Sequence, residues 1–191
     1  MNTAGNTAMP VTLEERIRRL EDRAELRELV ARYCIAIDDR DIDAIARVFT
    51  ADGRFRSRDG VMEARGREAV LQQFRGRFAA LKATNHIAHD QIVTFGNDPN
   101  SAHGLVTSHA EVWRNGRALI AALRYEDVYR REEGAWRFAD RLLSFLYYLP
   151  VEEYPEGLGS RLRMRAYGDQ RPADYPEALP SWKLYHGDAE A

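Results

Sequence analysis

Cysteine is almost missing from this chain: Cys34 is the only one in 191 residues. A lone thiol excludes an intramolecular disulfide and a cysteine-built metal cluster, and it agrees with a reducing compartment. Long apolar runs are missing too. Nowhere do 18 apolar residues follow one another, and the opening MNTAGNTAMPVT has neither the basic start nor the apolar run of a secretory signal. A cytoplasmic protein without a membrane partner is expected. Nor is there an excess of charge of one sign. The 30 acidic and 28 basic residues interleave to a net charge of -2, so no field gathers phosphates over a distance and nucleic acid is not an expected partner. The arginine-rich stretches Arg16–Arg19 and Arg161–Arg165 alternate with Leu, Ile or Met and read as the solvated sides of amphipathic segments. No internal repeat is present.

What is present is the balance of a globular protein, 45% apolar and 30% charged. Residues 1–11, small and polar, read as a disordered leader, 12–149 as one domain, and 150–191 as an extension rich in proline and aromatics. The extension holds Pro150, Pro155, Pro172, Pro176 and Pro180, so it is not expected to form one long regular element. Leu13, Ile17 and Leu20 recur at helical spacing, and Asp22-x-x-Glu25 has the form of a capping box that opens a second helix after a bend. That helix carries Leu26, Leu29, Val30, Tyr33, Cys34 and Ile37 on one stripe and ends at Asp38–Asp41. Asp41 is placed to cap a short helix, Ile42 to Phe49. A small hairpin is expected around Asp59-Gly60, then a helix from Gly66 to Leu81. Beyond Lys82 four segments, 84–95, 102–114, 117–131 and 135–148, are rich in β-branched and aromatic residues and separated by turn signals. Helices first and antiparallel strands afterwards is the pattern of an α+β fold, with helices covering one face of a curved sheet.

Few residues in this framework are suited to chemistry. At about 100° of rotation per residue, Asp38 lies at the border of the apolar stripe while Asp39 points away. A partly desolvated carboxylate there would have a raised pKa suited to moving protons, or would simply cap the next helix; helix geometry leaves both roles open. His86 and His89, three apart on a strand, face opposite sides and cannot both line one pocket. His109 on the next strand could approach His86 across the ladder, in a register the sequence leaves open. No ligand spacing for a metal is found, and no metal is expected.

Several stretches carry a resemblance. Leu26-Arg-Glu-Leu-Val-Ala-Arg-Tyr33-Cys-Ile-Ala-Ile-Asp38, Asp41-x-x-Ala44, Phe49 before Asp52-Gly53, Gly66-Arg-Glu-Ala69, Thr84-Asn-His86 and Tyr129 to Trp136-Arg-Phe138 follow one another. In that order they resemble the SnoaL-like family of the nuclear-transport-factor-2-like (NTF2-like) superfamily, in its scytalone dehydratase, bile-acid 7α-dehydratase and lindane dehydrochlorinase branch. The resemblance implies a cone-shaped fold and matches the family's aspartate and histidine to Asp38 and His86. It also matches a pocket tyrosine to Tyr33 and a further polar residue to His109. A tyrosine that part of the family carries on the early hairpin has no match in Phe55-Arg-Ser-Arg58.

The expectation is therefore a dehydratase or isomerase that needs no cofactor, with Asp38, His86 and Tyr33 catalytic. His109, Phe55, Phe74 and Trp113 are candidates to contact a hydrophobic steroid, terpenoid or polyketide-like substrate, although the three aromatics equally suit plain core packing. A non-catalytic small-molecule carrier and an accessory subunit of a ring-hydroxylating dioxygenase are the alternatives. Self-association into trimers or dimers is expected, because one sheet face and the tail need cover.

Overall fold

The chain enters its first helix through Thr12, whose side-chain oxygen accepts the Glu15 amide (3.2 Å) while the Glu15 carboxylate accepts the Thr12 amide (2.9 Å). This reciprocal cap contributes about 1 kcal/mol. The computed structural model describes residues 12–187, so the expected leader, 1–11, lies outside the described residues. Helix α1 (Leu13–Asp38) then runs unbroken, and the second start and bend expected at Asp22 do not occur. The reason is tertiary: Asp22 is buried, and its carboxylate accepts the Trp136 indole N–H (2.9 Å) and a guanidinium N–H of Arg131. The apolar contacts of α1 come from its second half; Leu26, Leu29, Val30, Tyr33, Cys34 and Ile37 are buried, whereas Leu13 and Leu20 are exposed.

Arg40, just past α1, takes a left-handed backbone conformation (φ 62°), and the Asp41 carboxylate accepts the Ala44 amide (2.8 Å) to open α2 (Ile42–Val48). Strands β1 (Phe49–Ser57) and β2 (Glu63–Arg65) form the expected hairpin, with Phe55 opposite Ala64. Helix α3 (Arg67–Ala80) leads into four long strands, β3 (Leu81–Phe95), β4 (Ser101–Arg114), β5 (Arg117–Glu132) and β6 (Ala135–Pro150). The last two hairpins turn on Asn115-Gly116 and Glu133-Gly134, all four residues at positive φ. That is the geometry whose twist matches the flanking strands.

The six strands form one sheet in the order β2-β1-β6-β5-β4-β3, antiparallel except for β1 against β6. Helix α1 packs on β3 and α3 on β1, producing the α+β cone. Its floor is an aromatic cluster in which Tyr33 meets Phe138, Phe74, Phe49 and Phe55 at ring-centroid distances of 5.5, 6.2, 6.3 and 6.5 Å. Burying each such ring is worth roughly 1.5–3 kcal/mol. Tyr129 lies across Gly104, where any Cβ would stand 2.5 Å from its ring, so only glycine admits that ring.

Beyond Leu143, β6 has no partner on the β1 side, and the tail covers this edge. Tyr148 donates its amide to Arg163 O and accepts the Arg165 amide (both 2.9 Å), and Asp174 donates to Phe145 O (2.9 Å). An unpaired edge buried under side chains would be costly. As expected, the tail has no long regular element; it holds short helices α4 (Tyr154–Gly157) and α5 (Pro180–His186). Among the described residues no helix is long and apolar enough to cross a membrane.

Candidate active site

Asp38 stands at the last residue of α1, where it meets β3. Its Oδ1 lies 2.6 Å from His86 Nδ1 and accepts the Thr84 hydroxyl at 2.8 Å; its Oδ2 accepts the His86 main-chain amide at 2.7 Å. One carboxylate is thus clamped by two residues of one strand. Burial works to raise its pKa, but the side-chain and main-chain hydrogen bonds from His86, together with that from Thr84, outweigh it and hold Asp38 below the usual carboxylate range. The raised pKa expected from helix geometry is corrected here: the donors come from residues 46 and 48 positions away, which no reading of α1 alone could include.

Arg40 completes the clamp. Its guanidinium donates to Thr84 Oγ1 and to Ile37 O, each at 2.8 Å, and stacks 4.8 Å over the Phe78 ring. The left-handed backbone at Arg40 costs on the order of 1–3 kcal/mol and turns this side chain back toward the site. Sequence reasoning passed over Arg40 and Thr84; the signal was Thr84, two residues before His86 and so on the same strand face.

An ionised Asp38 facing Nδ1 favours a proton on that nitrogen and leaves Nε2 as an acceptor. His86, almost wholly buried, lines a cavity of about 270 Å³ between α1, α3 and the inner face of the sheet, whose wall also includes Tyr33, Tyr125, Phe145, Tyr148 and Tyr167. Burial pushes the Tyr33 phenol well above its ordinary value, and the nearby Tyr125 adds to this, so Tyr33 stays a neutral O–H donor.

Beneath Tyr33 lies a buried ion pair that sequence reasoning also missed. Arg141 Nε is 3.2 Å from Asp127 Oδ1, both side chains are fully buried, and the guanidinium lies 4.0 and 3.7 Å from the ring centroids of Tyr33 and Tyr125. Burial pushes Asp127 up to about 6 against the pull of Arg141, and Tyr129 donates its hydroxyl to Asp127 Oδ2 at 2.8 Å. The available signal was the alternation Arg141, Leu143, Phe145, which points the arginine inward with two apolar neighbours.

The other expected site residues are placed differently. His109 and Trp113 are on the outer face of the sheet. Along β4 it is Val106, Ser108, Ala110 and Val112 that are buried, and Ala110, not His109, faces His86. The expected approach of His109 to His86 is corrected: His109 Nδ1 lies 2.7 Å from His89 Nε2. Burial, then the charge of His89, lowers the His109 pKa. Phe55 and Phe74 are fully buried, 4.9 Å apart between ring centroids, and pack behind Tyr33 without reaching the cavity. Among the described residues no group of three His, Cys, Asp or Glu side chains gathers where it could hold a metal ion.

The same architecture occurs in solved structures. A hexachlorocyclohexane dehydrochlorinase (LinA) superposes with a TM-score of 0.67 at 19% identity, covering 71% of this chain and 93% of its own. A putative scytalone dehydratase from Novosphingobium aromaticivorans gives 0.65 at 18%, covering 71% and 91%. A putative aromatic ring hydroxylase from the same organism gives 0.64 at 27%, covering 70% and 96%. No curated protein matches the sequence significantly. The family model described as SnoaL-like domain matches residues 18–142, more than half the chain and the whole stretch that carries Asp38, His86 and Tyr33. With helices, curved sheet and sequence in agreement, the chain belongs to the SnoaL-like family of the NTF2-like superfamily.

Proposed function

We propose that the protein is a lyase or isomerase, a dehydratase in the simplest case, that acts on a hydrophobic alicyclic substrate through Asp38 and His86. The observation that carries this reading is the 2.6 Å contact between Asp38 Oδ1 and His86 Nδ1 at the wall of a half-open, aromatic-lined cavity. His86 Nε2 takes a proton from a ring carbon, and Asp38 holds the imidazole in the competent tautomer and stabilises the imidazolium that forms. The electron pair of the broken C–H bond becomes the new double bond as a neighbouring hydroxyl leaves as water, taking the proton held by the His86 imidazolium, or that proton returns at another carbon. Tyr33 donates a hydrogen bond to the oxygen on which charge develops. Only protons move, so neither route calls for a cofactor.

The cavity lies at the lower edge of the roughly 300–1,000 Å³ common for small-molecule sites. This favours a terpenoid or polyketide-like substrate of one or two rings over a steroid. The lone buried Cys34 suits the cytoplasm. Exposed Ile87, Ile92, Leu105 and Trp113 on the outer face of β3 and β4 suit a homo-oligomer, which light scattering would measure.

The test uses hydroxylated cyclic ketones in D2O. The wild type should exchange or eliminate at the carbon next to the carbonyl and His86→Ala should not; equal rates for the two proteins would sink the reading. The likeness to a putative aromatic ring hydroxylase at 27% identity favours one second reading, an accessory subunit of a ring-hydroxylating oxygenase. Copurification with a large oxygenase subunit would support it. A carrier would instead bind cyclic ligands without turnover and equally well after Asp38→Asn.

A further inference from the structure

One wall of the cavity carries cationic and amide donors, with no carboxylate among the lining residues. Arg77 on α3 and Arg114 on β4 both line it, as does Gln73, and no aspartate or glutamate does. Among the described residues neither arginine forms an ion pair. Arg77 donates Nη1 to the Met62 thioether at 2.7 Å, a weak acceptor for a guanidinium. Arg114 has a buried Nε with no hydrogen-bond partner, and Gln73 has a buried Nε2 in the same condition. The Arg114 guanidinium donates to the Tyr148 hydroxyl, and both arginines act electrostatically on Tyr148 and Tyr167, so their charges converge on one wall. Asp59, which touches Tyr167 there, is already engaged by the Ser57 hydroxyl and the Val61 amide.

Buried donors are normally satisfied, and leaving them unpaired costs free energy that an arriving acceptor returns. Two guanidinium groups and an amide on one wall of an aromatic-lined hollow match a planar oxyanion.

Resting on the lyase or isomerase reading for which site this is, we propose that the cavity selects a ring compound bearing a carboxylate, held by Arg77, Arg114 and Gln73 while the ring faces His86. The arginines are binding residues, and their charge sets which substrates enter.

Calorimetric titration of the full chain with 1-naphthoate and with its uncharged methyl ester tests this without needing turnover. The wild type should bind the anion tighter than the ester by a factor on the order of ten to a hundred, as expected for hydrogen bonds to a charged group. Arg77→Met and Arg114→Met should each remove most of that preference while leaving ester binding within about threefold. Arg77→Lys should retain part of it, which separates loss of charge from loss of fold. His86→Ala should keep the full preference, so a failed turnover assay and a failed carboxylate site give different results. Equal affinity for anion and ester, no binding of either, or displacement of naphthoate by inorganic phosphate more effectively than by benzoate would each overturn the proposal.

Discussion

His86 and His89 lie on one strand, and each has a partner at almost the same distance. On the inner face Nδ1 of His86 is 2.6 Å from Asp38 Oδ1; on the outer face Nε2 of His89 is 2.7 Å from His109 Nδ1. What separates them is the partner and the surroundings. A carboxylate stabilises an imidazole that has taken a proton, whereas a second imidazole does not, and His109 is accordingly shifted toward its neutral form by burial and by His89. His86 also lines the inner cavity, while His89 and His109 are exposed. Contact distance alone does not mark a candidate proton-transfer site; a charge-complementary partner beside a cavity does.

The comparison is sharpest in the two alanine variants. His86→Ala should lower kcat/KM by about 10²–10⁴ on any substrate turned over, the usual range for loss of a general base, and His89→Ala should change it by less than about twofold. Similar losses in steady-state assays would break the distinction. Asp38→Asn comes next, with a drop of about 10² in kcat, the lower end of the general acid–base range, as the imidazole loses its orienting carboxylate. It should also alter acid stability. Because Asp38 is held below its unfolded value of roughly 3.9, its contribution is present above that pH and lost as pH falls through the folded value. Urea unfolding of the wild type should therefore weaken more steeply than that of the variant below about pH 4. Tyr33→Phe removes one donor and should lower kcat by about tenfold with KM nearly unchanged, which stopped-assay kinetics can read.

The smallest effect belongs to the outer pair. At pH 7, His109→Gln should shift unfolding by less than about 0.5 kcal/mol, as for other exposed substitutions. A histidine with a lowered folded pKa is stabilising above its unfolded value, near 6.5, and that stability is lost as pH falls below it. Thermal melts of wild type between about pH 7 and 5 should show this loss, and those of the variant should show less of it.

The features readable from sequence are those set by local period. Helical spacing marks the buried stripe of α1 and carries Asp38 to its border. Strand alternation separates His86 from His89, and the Asn115-Gly116 turn marks a hairpin. What escaped depends on contacts distant in sequence. The partner of His109 follows from the β3–β4 register and its irregularity between Ala88 and Gln91. Asp22 has the sequence of a cap, yet Trp136 and Arg131, more than 100 positions away, take its carboxylate. Alternation along β6 points Arg141 inward, but its pairing with Asp127 appears only once the sheet is assembled and encloses them together.

The tail that closes the edge of β6 also contributes Ala166 and Tyr167 to the cavity wall, although the family match ends at 142. Part of the chamber's lining is therefore supplied by a stretch outside the shared domain, while Asp38 and His86 stay within it. The tail thus adds to a lining most of whose other members, Arg77 and Arg114 among them, belong to the shared domain. Exchanging the appendage would reshape what the chamber admits and leave the imidazole and its carboxylate in place.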